Sequence, residues 1–238
     1  MKLKYIKLKF ILLMIALFLT LFSCPNPVIE GLIKADEETN RPGSPPDAQE
    51  ISQPRFIITD VADIAAYLAE QPANTAGNPV PLYLELDLGT MTNANSNWRL
   101  LLGALETAGK YVGLDLSACT IQNGGSTIFN PDYNVATGKD KIVEIALPDM
   151  AKIIPDGADN NPAFKYFAAL ESFSGIGLTT ISSFAFQKCA TLALTSLPAG
   201  LNSIGSYAFQ DCANLALTEL PTKITSIALQ AFRGCTNL

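Results

Sequence analysis

Residues 201–223 read LNSIGSYAFQDCANLALTELPTK. The 23 residues before them, LTTISSFAFQKCATLALTSLPAG (178–200), say nearly the same thing, and ITSIALQAFRGCTNL (224–238) starts a third copy. Cys189, Cys212 and Cys235 share one interval. So do Ile181, Ile204 and Ile227; Ala185, Ala208 and Ala231; Phe186, Phe209 and Phe232; and Leu192, Leu215 and Leu238. Self-similarity at one fixed period is the mark of a stacked repeat architecture.

The residue types say what each unit does. Aliphatic residues from Leu192 to Leu197 predict a short strand, which Pro198 stops. A second extended run spans Leu201 to Ile204. Tyr207 to Cys212 suits a helical turn, with Phe209, Cys212 and Leu215 on one side. One such unit cannot bury these groups alone, whereas stacked units cover each other's apolar faces. The predicted fold is an α/β repeat: a solenoid with one strand per coil and a parallel strand ladder.

This unit resembles the BspA-type, or treponemal-type, leucine-rich repeat of bacterial surface proteins. Leu201, Ile204, Ala208, Phe209, Cys212, Leu215, Leu220 and Pro221 fill that family's pattern. The departure is Thr218, and Thr195 before it, where an aliphatic residue is usual. Leucines sit one place earlier, at Leu217 and Leu194, so the strand register and the outward side chains stay open. The resemblance covers 178–238 and implies a leucine-rich-repeat solenoid with an adhesin-like role at the cell surface, toward host matrix proteins or other bacteria.

Degenerate repeats extend upstream. Ala163-Phe164 with Phe167 and Leu170 aligns with Ala185-Phe186, Cys189 and Leu192. Ile145, Leu147 and Pro148 resemble a strand end, and Ile153-Ile154 the second extended run. An insertion over Asp156–Asn161 lengthens this coil. We assign 161–238 to the repeats.

The cysteine column invites a disulfide or metal reading, since stacked coils can bring neighbours within bridging range and export permits oxidation. Yet the equivalent upstream slot holds Phe167. A position that accepts phenylalanine is chosen for apolar volume, and free cysteine packs as a small hydrophobe. Buried thiols are the expectation, for Cys119 as well.

The N-terminus has three zones. Lys2, Lys4, Lys7 and Lys9 precede an apolar run from Phe10 to Phe22. At 13 residues it falls short of the ~20 a stable span needs, so 1–23 reads as a signal peptide. Leu21-Phe22-Ser23-Cys24 resembles the lipobox of bacterial lipoproteins. The resemblance implies cleavage after Ser23 and a lipidated Cys24; an ordinary cleavage site beside a chance cysteine, or an uncleaved anchor, are the alternatives. Residues 24–54 follow as a disordered, proline-rich tether with the acidic run Asp36-Glu37-Glu38. The expected location is export, with a lipid anchor in the bacterial membrane, at the outer membrane or cell surface.

Residues 55–160 alternate helix and strand signals. They read as irregular α/β coils or an N-terminal cap of the solenoid, or else as a small separate α/β domain. Asp60 can cap a helix with Val61, Ile64, Ala65 and Leu68 on one face. Ser96 or Asn97 can cap another, with Trp98, Leu101, Leu102 and Leu105 on one face and Gly109 at its end. Strands are predicted over 82–88, 111–116 and 142–147. Leu84–Leu88 and Val112–Leu116 look like one strand repeated 28 residues on. That places Asp87 and Asp115 on neighbouring rungs, where paired carboxylates could do acid–base work or hold calcium. The ordinary reading is two solvent-facing strand residues. Asp156 and Asp159 lack the spacing of a calcium hand, and Asn123-Gly124-Gly125 is a turn signal.

Composition excludes much chemistry. The chain has no histidine, which removes Ser-His-Asp and Cys-His nucleophiles and His-ligated metal sites. Net charge is -6, and loss of the four leader lysines leaves 12 cations against 22 anions. A nucleic-acid partner is excluded on charge, since phosphate neutralisation needs a basic surface. The expected protein is not an enzyme and has no cofactor and no metal. It meets the membrane through its lipid anchor and binds an extracellular or host protein. Thr195, Ser196, Thr218 and Glu219 are the candidate partner-binding residues. A structural envelope lipoprotein without a ligand, or a carboxylate-dependent hydrolase in 55–160, are the alternatives. Nothing in the sequence sets the oligomeric state. The sequence stops at Thr236-Asn237-Leu238, where another strand is due; a longer chain, a frayed coil or a covering chain would each answer the need for a cap.

Overall fold

A computed structural model describes residues 56–132 and 134–238. The signal peptide expected over 1–23, the lipidated Cys24 and the tether over 24–54 lie outside the described residues.

Asp60 opens the first coil. Its backbone is extended and its carboxylate accepts from the Ala62 N–H at 3.0 Å, an N-cap. A 3-10 turn over Val61–Asp63 leads into α1, Ile64–Glu70. Ile64 and Leu68, one helical turn apart, are buried. Ala65, expected beside them, is exposed, and Tyr67 packs against the core instead. The second helix, α2, spans Asn97–Ala108. Ser96 Oγ accepts from the Arg99 N–H, and Gly109 closes the helix at φ 62, the left-handed end that glycine favours. Trp98, Leu101, Leu102 and Leu105 are all buried.

The described residues contain nine strands: β1 (Ile57–Ile58), β2 (Val80–Leu84), β3 (Val112–Asp115), β4 (Ile142–Ala146), β5 (Ile153–Ile154), β6 (Ser172–Ser174), β7 (Thr180–Ile181), β8 (Ser203–Ile204) and β9 (Ser226–Ile227). One sheet runs β1-β2-β3-β4-β6 and the other β5-β7-β8-β9. Every pairing is parallel. The chain is an α/β repeat solenoid with parallel strand ladders, and a single apolar core runs from Ile58 to Ala231.

The repeat period appears in the second ladder. Ile154, Ile181, Ile204 and Ile227 pair in succession, at an interval of 27 and then twice 23. The longer coil holds the loop Asp156–Asn161, closed by reciprocal backbone bonds between Ala158 and Asn161.

A third set of cross-coil bonds lies at the aromatic turns. The N–H groups of Phe184, Phe186 and Lys188 donate to the carbonyls of Ser206, Ala208 and Gln210. Those of Tyr207, Phe209 and Asp211 donate to Leu229, Ala231 and Arg233. Phe164, Phe186, Phe209 and Phe232 stack in one column with centroids 4.4, 5.3 and 5.4 Å apart. Phe129 and Trp98 extend it toward the N-terminal coils.

Three expectations are corrected. Tyr207–Cys212 is a turn and not helical. Tyr207 and Asp211 both have positive φ, 57° and 59°, because alternate N–H groups here serve the next coil. Leu192–Leu197 is not a regular strand either. Ala216 donates to Leu194, 22 residues back, but Thr218 donates to Thr195, 23 back. That one-residue slip breaks the ladder at Thr195 and Thr218, where the sequence departs from the repeat pattern it otherwise resembles. Finally, β2 and β3 pair at an offset of 32: Leu82 lies beside Leu114, and Asp115 beside Tyr83. Asp87 bridges Thr120 instead. Leu82, Leu84, Leu86 and Leu88 alternate strictly, so shifts of 28 and 32 bury the same face, and the apolar pattern cannot choose between them.

Candidate binding surface

The floor beneath the candidate residues is fixed by Leu194 and Leu197, both buried. Between and beyond them the chain cannot turn Thr195 or Ser196 inward, and both are exposed. One coil on, Thr218 and Glu219 are exposed as well. Thr218 Oγ1 donates to the Thr195 carbonyl at 3.4 Å, so the two threonines lie against each other on successive coils. The structure thus places all four nominated residues at the surface of one pair of coils, along the slipped ladder. Beside them, Phe173, Leu197 and Pro198 line a shallow groove of about 310 Å³ with the exposed Ile176 at its edge.

The cysteines do more than fill volume. Cys212 Sγ donates to the Phe186 carbonyl at 3.1 Å and Cys235 Sγ to that of Phe209 at 3.1 Å, with a longer contact from Cys189 to Phe164. Each thiol thereby serves the carbonyl of the preceding coil. All are free thiols. Burial pushes the Cys189 thiol up to about 12, and that of Cys212 higher than the ordinary range. Cys119 repeats the arrangement upstream, donating to Leu84, with its thiol raised to about 11 chiefly by burial. Such thiols are protonated and unreactive at neutral pH.

Asp87 and Asp115 are spent on turns. Asp87 accepts from the Gly89 and Asn123 N–H groups, and Asp115 from Ser117 N–H and Oγ. Asp115 ends β3 as a local cap, whereas Asp87, past the end of β2, ties its own turn to the one at Asn123. Among the described residues no group of three or more His, Cys, Asp or Glu side chains is placed to hold a metal ion.

One charged cluster carried no sequence signal. Lys139 is fully buried. Its Nζ donates to the Asp132 carbonyl and lies 5.4 Å from the Phe167 ring centroid. The Asp132 carboxylate, also buried, pairs with Arg99 at 2.5 Å. Burial lowers the Lys139 ammonium to about 8; Asp132 opposes the shift and Arg99 adds to it. Lys139 sits between Asp140 and Gly138, in a stretch whose composition reads as a solvated turn. Only the tertiary position of Phe167 and Asp132 draws it inside.

Residues 160–238 match the family model of the BspA-type leucine-rich repeat region, in six copies. Over that third the chain is similar to the BspA-type leucine-rich repeat. Repeats of this type suggest a surface protein–protein interaction domain, are typically non-enzymatic, and occur generally in surface or secreted bacterial proteins. No curated protein and no solved structure matches the chain. In the described residues no helix is long and apolar enough to cross a membrane.

Proposed function

We propose that this is a lipid-anchored bacterial surface protein whose leucine-rich repeats bind a protein ligand in an adhesin-like way. The observation that carries the reading is the surface along the slipped ladder. There Thr195, Ser196, Thr218 and Glu219 are exposed over the fixed apolar floor of Leu194 and Leu197. Cross-coil bonds hold this backbone in place, so a partner meets a pre-formed edge and little ordering entropy is lost on binding. Acylation of Cys24 with more than one chain gives a firm membrane hold, where a single chain would be marginal. Residues 25–54 then act as the spacer that lifts the coils from the lipid.

Two measurements test this. Mass spectrometry of the mature N-terminus, with protease accessibility on intact cells, should show an acylated Cys24 on a surface-exposed chain. Binding of the full-length protein to matrix-protein panels should fall about tenfold when Thr218 and Glu219 are both replaced by lysine. Absence of any partner would favour a structural envelope lipoprotein.

A further inference from the structure

The loop Asp156–Asn161 is where a repeat coil departs from its period, and it is tied down. The Asn160 N–H donates to Gln187 Oε1 at 2.8 Å, and Gln187 Nε2 donates to Asp159 and to Gln210. Gln187 is itself buried. This fastens the loop to the next two coils. Two neutral acceptors are thereby fixed at the surface: Asn161 Oδ1 takes a bond from Lys165 Nζ at 2.9 Å, and Asn160 Oδ1 one from Lys188 Nζ at 2.6 Å.

Those lysines line a cleft of about 430 Å³ between residues 160–168 and 187–191. The apolar lining is Phe164, Phe167 and the Cys189 side chain, with Tyr166 42% exposed at the margin. No acidic side chain lines it. Lys165 Nζ also lies 4.7 Å from the Tyr166 ring centroid. A cleft whose charged lining residues are both lysines, with an exposed tyrosine at its margin, thus occurs in a chain of net charge -6. Its size is that of a small-molecule site. Each ammonium has three donors, of which its asparagine takes one.

We infer that this cleft binds a small organic anion built on an apolar ring. The ring packs against Tyr166, Ala168 and Ala190 over the buried floor of Phe164 and Phe167, and the carboxylate lies between Lys165 and Lys188. Neither half of the ligand suffices: a bare anion leaves the Tyr166 ring wet, and a neutral ring leaves both ammonium groups unmatched. The site is separate from the slipped ladder, so a protein ligand on that face and an anion here are independent.

The probe is phenylacetate, titrated calorimetrically into the full-length protein, with acetate and benzyl alcohol as controls. Phenylacetate should bind with a Kd below about 1 mM, and both controls at least ~10-fold more weakly. Lys165→Gln and Lys188→Gln should each weaken phenylacetate about fivefold, leave benzyl alcohol unchanged and reduce the salt dependence. Lys223→Gln, outside the cleft, should do nothing. Amide shifts in the unaltered protein should centre on Tyr166 and Ala190, a readout that holds even where a variant folds poorly. No saturation by about 10 mM phenylacetate, shifts centred elsewhere, or binding indifferent to both lysine substitutions would overturn the assignment.

Discussion

Cys212 Sγ donates to the carbonyl of Phe186 at 3.1 Å, across the boundary between two successive coils. This bond explains why cysteine recurs at a period of 23 in a position that also accepts Phe167. The slot requires apolar volume, and cysteine adds a second, weak donor to a carbonyl that already accepts the Cys189 N–H within its own coil. The column is thus neither a row of disulfides nor a ligand set.

Cys212→Ala should destabilise the protein by about 1–2 kcal/mol, read from denaturant unfolding, because it leaves a small void and removes the bond that ties this carbonyl to the next coil. Cys212→Ser keeps a donor but buries a more polar group, and should cost a similar amount. Native-state alkylation at about pH 8 should spare Cys189 and Cys212 and reach the half-buried Cys235 first, as peptide mapping can show. The linkage has a definite sign. These thiols hold their protons more tightly folded than unfolded, so their contribution is complete below the ordinary thiol value near 9. It falls as pH climbs from there toward about 12 for Cys189.

Lys139 acts in the opposite sense. Its folded-state value is about 8 against an ordinary 10.5. Between those two, the unfolded chain holds a proton that the folded chain has lost, so this residue's contribution to stability rises with pH across that window. Lys139→Met should abolish that rise, visible as the difference between the two proteins' stability–pH curves. At neutral pH it should be neutral or stabilise by up to about 1 kcal/mol, since it leaves the Arg99–Asp132 pair balanced. Asp132→Asn should cost about 3 kcal/mol, because it strands a buried ammonium beside Arg99.

The coil fold was legible because five residue types recur at one interval, and a recurring phenylalanine leaves little choice but to stack. Both helix caps were legible from Asp60, Ser96 and Gly109, whose chemistry is local. Two things were not. The offset between β2 and β3 was hidden, since alternating leucines fit any even shift. The buried lysine was hidden too, since nothing within a few residues of Lys139 announces a partner that lies seven residues back and a ring, Phe167, in the following coil. The candidate binding surface was legible only as far as exposure; the slip that shapes it depends on bonds between coils.

Two glycines separate backbone demand from helix propensity. A Cβ on Gly138 would run into the Leu102 carbonyl, and its φ is 66°. Gly138→Ala should therefore lose about 2 kcal/mol or more. Gly103 lies inside α2, and a Cβ there would meet nothing within 4 Å. Gly103→Ala should raise stability by about 0.5–1 kcal/mol. Paired melting curves check both signs, and equal effects would contradict the steric demand at Gly138.

The turns make the last prediction. Phe184, Tyr207 and Gln230 occupy one repeat position at φ 54–57°, and Tyr166, Lys188, Asp211 and Gly234 another at 59–75°. Residues with a Cβ are strained in that region, and among these seven only position 234 is glycine. Gln230 is the cleanest to test: it is exposed and its side chain makes only a 3.5 Å bond, accepted from Arg233. By contrast Tyr207 stacks on Phe184 with centroids 5.1 Å apart. Gln230→Gly should raise stability by about 0.5 kcal/mol or more, as relief of strain exceeds the added chain entropy of glycine. Tyr207→Gly should lower it, because the lost ring contact outweighs the same relief. If both substitutions destabilise equally, the left-handed turns carry no strain and the cross-coil bonds alone set their shape.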